Sequence, residues 1–130
     1  MPGPEPASLD LRLRAAAESV LLLRQRLCLW LEELGATPEE VFEVALAATE
    51  AFGNAVEHPQ EPSARTIDVR ASTDGRTVTI TIRDYGGWQS ERRRKEGGYG
   101  LRLMRKLMDS VEVGPWAQGT AIRMQRHVSA

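Results

Sequence analysis

A single cysteine, Cys28, in a chain of 130 residues leaves no disulfide framework and no cysteine-rich zinc site. It lies in RLCLWL on a helical pattern and reads as a buried thiol. Excess charge of one sign is missing too. With 17 basic and 18 acidic residues the formal net charge is −1, which gives no reason to expect nucleic acid or an anionic membrane as a partner. No apolar run approaches the length of a membrane span. The opening MPGPEPAS has neither the cationic start nor the apolar core of a secretory signal. These absences predict a cytoplasmic protein.

The composition that remains is that of an ordinary soluble domain, 42% apolar and 27% charged. The length suits one domain with a real core. Residues 1–8, rich in proline and glycine, are expected to be a disordered tail, and 9–130 a single domain. Alternation over Leu9–Ala15 predicts a strand with one buried face. Apolar residues from Glu18 to Leu34 recur at helical spacing, with Gly35 at the C′ position. Thr37-Pro-Glu-Glu carries the signals of a helix start, and that helix is expected to reach about Glu57, before His58-Pro59. Residues 61–64 read as a turn. Thr66–Ala71 and Thr77–Arg83 read as a hairpin turning at Asp74-Gly75. A third helix is expected over Leu101–Ser110, then strands at 111–113 and 120–126 joined by a GPWAQG loop. The order β-α-α-β-β-α-β-β predicts an α+β fold, a two-layer sandwich with helices on one face of a mixed, mainly antiparallel sheet.

Three stretches could carry chemistry. In VALAATEAFGNAVEH, Glu50 and Asn54 stand four apart, one above the other on one helix face, among alanines and Gly53. An amide oxygen with phosphate oxygens is enough for magnesium, and a carboxylate one turn away can take a proton from an attacking hydroxyl. On spacing alone the same pair is a solvated pair on an amphipathic helix. His58, four residues further on, is a helix-end residue favoured by the dipole rather than a ligand. Asp84 ends an alternating strand before Tyr85-Gly86-Gly87. A carboxylate fixed there can accept a hydrogen bond from the exocyclic amine of adenine, yet Asp and Gly are also routine in turns. Gly97-Gly98-Tyr99-Gly100 opens a helix, where free amides attract phosphate. Neither familiar glycine motif fits. Leu103 stands where a dinucleotide fingerprint needs its third glycine, and no Gly-Lys pair exists for a Walker loop. Between the glycine clusters, WQSERRRKEGG is too polar for a core and has the makings of a lid or of a solvated loop.

Taken together, ATEAFGNAVEH (48–58), IRDYGGW (82–88), GGYGLRLMRKLMDSVEV (97–113) and QGTAIRMQR (118–126) resemble the GHKL ATPases. More narrowly they are similar to the anti-sigma-factor serine/threonine-protein kinases of bacterial transcription regulation. The resemblance covers the chain from about Thr37 to its end. It implies the GHKL (Bergerat) fold and the ligands ATP and magnesium (Mg2+). It implies Glu50 as general base and Asn54 as the magnesium ligand. Asp84 would meet the adenine amine beside Gly86. Gly98, Gly100 and the amide of Leu101 would meet the phosphates, and Thr120 would line the adenine side. The implied partners are a STAS-domain anti-sigma factor antagonist, which receives phosphate, and an RNA polymerase sigma factor, bound by a homodimer. One position departs from the family's Asp-x-Gly-x-Gly pattern: Trp88 replaces the last glycine. That departure motivates the alternative of a nucleotide-binding regulator with little or no catalysis. A sensor histidine kinase is disfavoured, because the only histidines are His58 and His127.

Overall fold

The computed structural model describes residues 8–56, 66–84, 98–116 and 119–129. Residues 1–7 of the expected N-terminal tail, His58, the turn at 61–64, Gly86, Trp88 and the charged segment after it lie outside the described residues. Among the described residues five strands and three helices follow one another as β1 (Ser8–Arg14), α1 (Ser19–Leu34), α2 (Pro38–Val56), β2 (Thr66–Thr73), β3 (Thr77–Asp84), α3 (Gly98–Leu107), β4 (Ser110–Trp116) and β5 (Gly119–His127). The sheet order is β1-β2-β3-β5-β4. Every pairing is antiparallel. β4 runs in the direction of β3, but β5 lies between them, so the parallel component expected of a mixed sheet has no neighbouring pair to appear in.

The register aligns three rows of side chains on the face that packs against the helices. Leu9, Ala71, Ile80, Met124 and Val111 form one, and Leu11, Val69, Ile82, Ile122 and Val113 the next. The third row, Leu13, Ile67, Asp84, Thr120 and Pro115, turns polar in its middle. Period-two alternation puts the intervening residues on the open face. There, charges are matched across strands: Arg12 with Asp68 at 2.8 Å, Arg70 with Asp10 at 3.5 Å and Arg123 with Glu112 at 3.5 Å. Leu23, Leu27, Trp30 and Leu31 of α1, and Val44, Ala48, Ala51 and Phe52 of α2, complete the core against the sheet. Among the described residues no helix is long and apolar enough to cross a membrane.

Helix boundaries follow from local chemistry. At the end of α1, Gly35 takes φ 90°, its N–H bonds to the Glu32 carbonyl, and the Ala36 N–H bonds to that of Leu31. This double bond pattern terminates the helix with a left-handed residue that glycine adopts without steric cost. α2 opens with a reciprocal cap. The Glu40 N–H donates to Thr37 Oγ1 at 3.1 Å, and the Thr37 N–H donates to Glu40 Oε1 at 2.9 Å. In the β2–β3 turn, Asp74 Oδ1 accepts from the Arg76 and Thr77 amides while Gly75 takes φ 105°.

Several boundaries differ from the sequence reading. β1 begins at Ser8, which pairs with Ser72. α3 starts at Gly98 rather than Leu101, because first-turn amides need no acceptor inside the helix and glycine does not obstruct the turn. It ends at Leu107, since Asp109 and Ser110 are drawn into pairing with Gln125. β4 runs on through Gly114, Pro115 and Trp116, which were expected as loop. β4 borders the sheet, where a proline is tolerated.

The free oxygen of Glu40 has a second duty. Its Oε2 accepts from the Ser129 amide at 2.9 Å and the Ser129 hydroxyl at 3.0 Å, so the carboxylate that caps α2 also holds the end of the chain. Glu40 is 8% exposed. The Thr37 amide bond, helped by the two bonds from Ser129, holds its carboxyl below the usual range against the opposing effect of burial. A lowered folded-state value means the stabilisation is full above the unfolded value and is lost as pH falls through the folded one. Glu40→Ala is therefore expected to cost about 1–3 kcal/mol in urea unfolding at pH 7. The gap between variant and wild type should narrow as the pH drops below about 4. A gap independent of pH would disprove the role of the ionised carboxylate.

Candidate functional site

α2 turns one side to the core and another to α3. Along the second side Glu50 and Asn54, both half-buried, are one turn apart, with Ala47, Ala51 and Ala55 buried around them. Small neighbours let a second helix come close. α3 does so at its first turn: a Cβ built on Gly100 would lie 3.3 Å from Asn54 Nδ2, 3.5 Å from Glu50 Oε2 and 3.6 Å from Asn54 Oδ1. Residues separated by 46 to 50 positions of sequence thus meet at one point. Here the glycine is needed for the approach itself, since any side chain would push into the amide.

Gly98 and Gly100 supply first-turn amides of α3, which have no acceptor within the helix and carry the positive end of its dipole. Leu101 follows, with its side chain 8% exposed and packed into the core. Only its backbone amide is left to face a ligand, the part of the residue singled out from the sequence. The arrangement sets a carboxylate, a side-chain amide and a helix N-terminus around one space. Such a set suits an anion and a hard cation together. Among the described residues no three His, Cys, Asp or Glu side chains cluster as a metal site. A cation held here would rely on the Asn54 oxygen and on oxygens brought by the ligand, a donor set that fits magnesium.

The second group lies at the end of the sheet. Asp84 is the last residue of β3, and Thr120, the second of β5, is its direct cross-strand partner. They are 4% and 7% exposed and interrupt the apolar row that Leu13 and Ile67 begin. A buried carboxylate and hydroxyl side by side form a polar spot on an otherwise apolar face, suited to the hydrogen-bonding edge of a flat heterocycle. On the opposite face, Arg83 lays its guanidinium 4.7 Å from the centre of the Trp116 ring, a cation–π contact that braces the same end of the sheet. Gly86 lies outside the described residues.

The structure thus brings Glu50, Asn54 and Gly100 together, and pairs Asp84 with Thr120. Sequence reasoning missed Arg126, which turns inward from β5 and bonds α3 and α2. Its signal was the alternation Thr120, Ile122, Met124, Arg126, which places a charge where the strand pattern calls for a core residue.

Comparison with known proteins bears on the family and the fold. The family model of the histidine kinase-like ATPase domain matches residues 13–126. The chain is 27% identical to the anti-sigma F factor of Clostridium acetobutylicum, over 91% of this chain and 92% of that protein. It is 26% identical to the anti-sigma F factor of Heyndrickxia coagulans, over 93% of this chain and 92% of that one. Among solved structures it is similar to the RsbU and RsbW domains of a Mycobacterium tuberculosis protein. There the TM-score is 0.72 at 22% identity, covering 94% of this chain and 32% of the other. The chain therefore spans about a third of that protein, and the likeness concerns the fold.

The contact at Gly100 yields a direct test. Gly100→Ala should fold with little loss of stability, because the Asn54 side chain can swing by a few tenths of an ångström. Displacing that amide should weaken nucleotide binding by about tenfold. Calorimetric titration of the variant at wild-type affinity would show that the close approach has no part in the site.

Proposed function

The chain belongs to the histidine kinase-like ATPase domain family; from that premise, which implies ATP binding, we propose that it is an ATP-dependent protein serine/threonine kinase acting as an anti-sigma factor. The observation that carries the reading is the meeting of Gly100 with both Glu50 and Asn54, which supports a base, a magnesium ligand and a phosphate cradle at one place. The names of the relatives, anti-sigma F factor, support a sigma factor as the partner held. The phosphate acceptor is a serine or threonine of a STAS-domain antagonist, and the working form is a homodimer.

Each residue then has a task. Asp84 accepts a hydrogen bond from the adenine amine, with Thr120 beside it. A keto group at that place would leave the carboxylate facing an acceptor, so adenine is preferred to guanine. The amides of Gly98, Gly100 and Leu101 receive phosphate oxygens. Asn54 holds magnesium, which offsets charge on the phosphates when bound. Glu50 accepts the proton of the acceptor hydroxyl as its oxygen bonds to the terminal phosphorus, while the bond from that phosphorus to the bridging oxygen breaks and ADP leaves. Leu101, anchored in the core by its side chain, keeps its amide from drifting.

Two substitutions separate binding from transfer. Glu50→Gln should bind Mg–ATP as wild type does and lower phosphate transfer to a STAS partner by about a hundredfold or more. Equal transfer rates would remove Glu50 from the chemistry. Asn54→Ala should abolish the magnesium dependence of nucleotide binding while leaving the fold intact. If wild type grips a sigma factor or antagonist and labels neither with radioactive ATP, the chain is a nucleotide-binding regulator and not a kinase.

A further inference from the structure

Glu43, Ala47, Glu50 and Asn54 are spaced four, three and four along α2, which makes one stripe. Gly100, Met104 and Leu107 are spaced four and three along α3, which makes another. The two stripes meet at both ends. Gly100 lies against Glu50 and Asn54. At the other end Arg126 donates from Nη1 to the Leu107 carbonyl at 2.8 Å and from Nη2 to Glu43 Oε1 at 2.9 Å. α3 therefore runs antiparallel to α2. Seven residues separate the two contacts on each helix, a matched rise of about 10 Å. Between them Ala47 and Met104 are fully buried.

Apolar packing of alanine against methionine does not fix how far one helix slides along another, because Met adapts to many shapes. A guanidinium that bonds a backbone carbonyl of one helix and a carboxylate of the other ties them at one place. The Leu107 carbonyl is among the last in α3, without an acceptor relationship to a later helical amide, and a cation there also suits the helix dipole. Arg126 itself has little freedom. Its backbone is paired with Val78 inside the sheet, and its side chain is 19% exposed. β5 thus carries Thr120 at one end of the helix-facing side and this clamp at the other.

We infer that Arg126 is a positioning residue for the nucleotide site: by holding Leu107 and Glu43 together it sets the register of α3 along α2, and so the reach from the first-turn amides to Glu50 and Asn54. This rests on the nucleotide reading above. A slip of about an ångström at Leu107 is passed along a rigid helix to Gly100, and misplacement on that scale is costly to catalysis. Glu43 and Arg126 lie at the end of α3 away from Gly100 and act through that helix.

Three variants test it: Arg126→Gln, Glu43→Ala and, as a control that removes an equally close ion pair from the open face, Arg12→Gln. Two readouts are taken, Mg–ADP affinity by calorimetry and the amide resonances of Gly100 and Leu101 without nucleotide. Arg126→Gln and Glu43→Ala are expected to weaken Mg–ADP by about tenfold and to move both resonances, with Arg12→Gln near wild type in each. If all three variants match wild type in both readouts, the inference is overturned. A wild-type protein that binds no Mg–ADP overturns the nucleotide reading instead, and the resonances alone then decide the register claim. Should Arg126→Gln fail to fold, Glu43→Ala decides it, because that variant keeps the bond from Arg126 to Leu107.

Discussion

The arrangement depends on how closely α3 can lie on α2. Helices usually pack about 8–10 Å apart, with the distance set by the side chains at the contact. Here the contact is made of alanines on one side and a glycine at the head of the other, so backbone amides come within reach of a carboxylate and an amide side chain. A larger residue at position 47 would keep the helices apart, and one at 100 would displace the Asn54 amide. Glu50 and Asn54 would then be what their spacing alone suggests, a pair on a solvated helix face.

The sheet contributes a second constraint. Two complete apolar rows hold the helices in place, and the third row gives up that role at its centre to present Asp84 and Thr120. Placing a carboxylate within a core row costs stability unless something polar meets it, and Asp84 has a partner within the protein. The polar spot and the helix-flanked space belong to different layers of the sandwich. A nucleotide, flat at one end and anionic at the other, has the shape to touch both.

Local signals made most of the architecture legible. The Thr37–Glu40 capping box, the Gly35 stop, the Asp74-Gly75 turn and the alternation of β2 and β3 each follow from neighbours within four residues. The boundaries that shifted did so through distant partners. Asp109 leaves the helical pattern because Gln125 offers its carbonyl, and Pro115 joins a strand because the sheet happens to end there. The site shows the same division. Glu50, Asn54 and Asp84 could be named from type and spacing, whereas the meeting of the first two with Gly100 is a product of helix packing and the pairing of Asp84 with Thr120 of the sheet register. Arg126 was overlooked because a charged residue near a strand end looks like a surface residue until its row is known.

Glu40 shows how a small domain ties its ends together. Both oxygens of one carboxylate are committed, one to the start of α2 and the other to a residue 89 positions later. Glutamine there would keep the cap but offer a donor to groups that are themselves donors. Alanine at 129 would leave the tail bonded through its backbone amide alone. Mutational routes through this corner are correspondingly narrow: positions 37, 40 and 129 can wander together, but hardly one at a time.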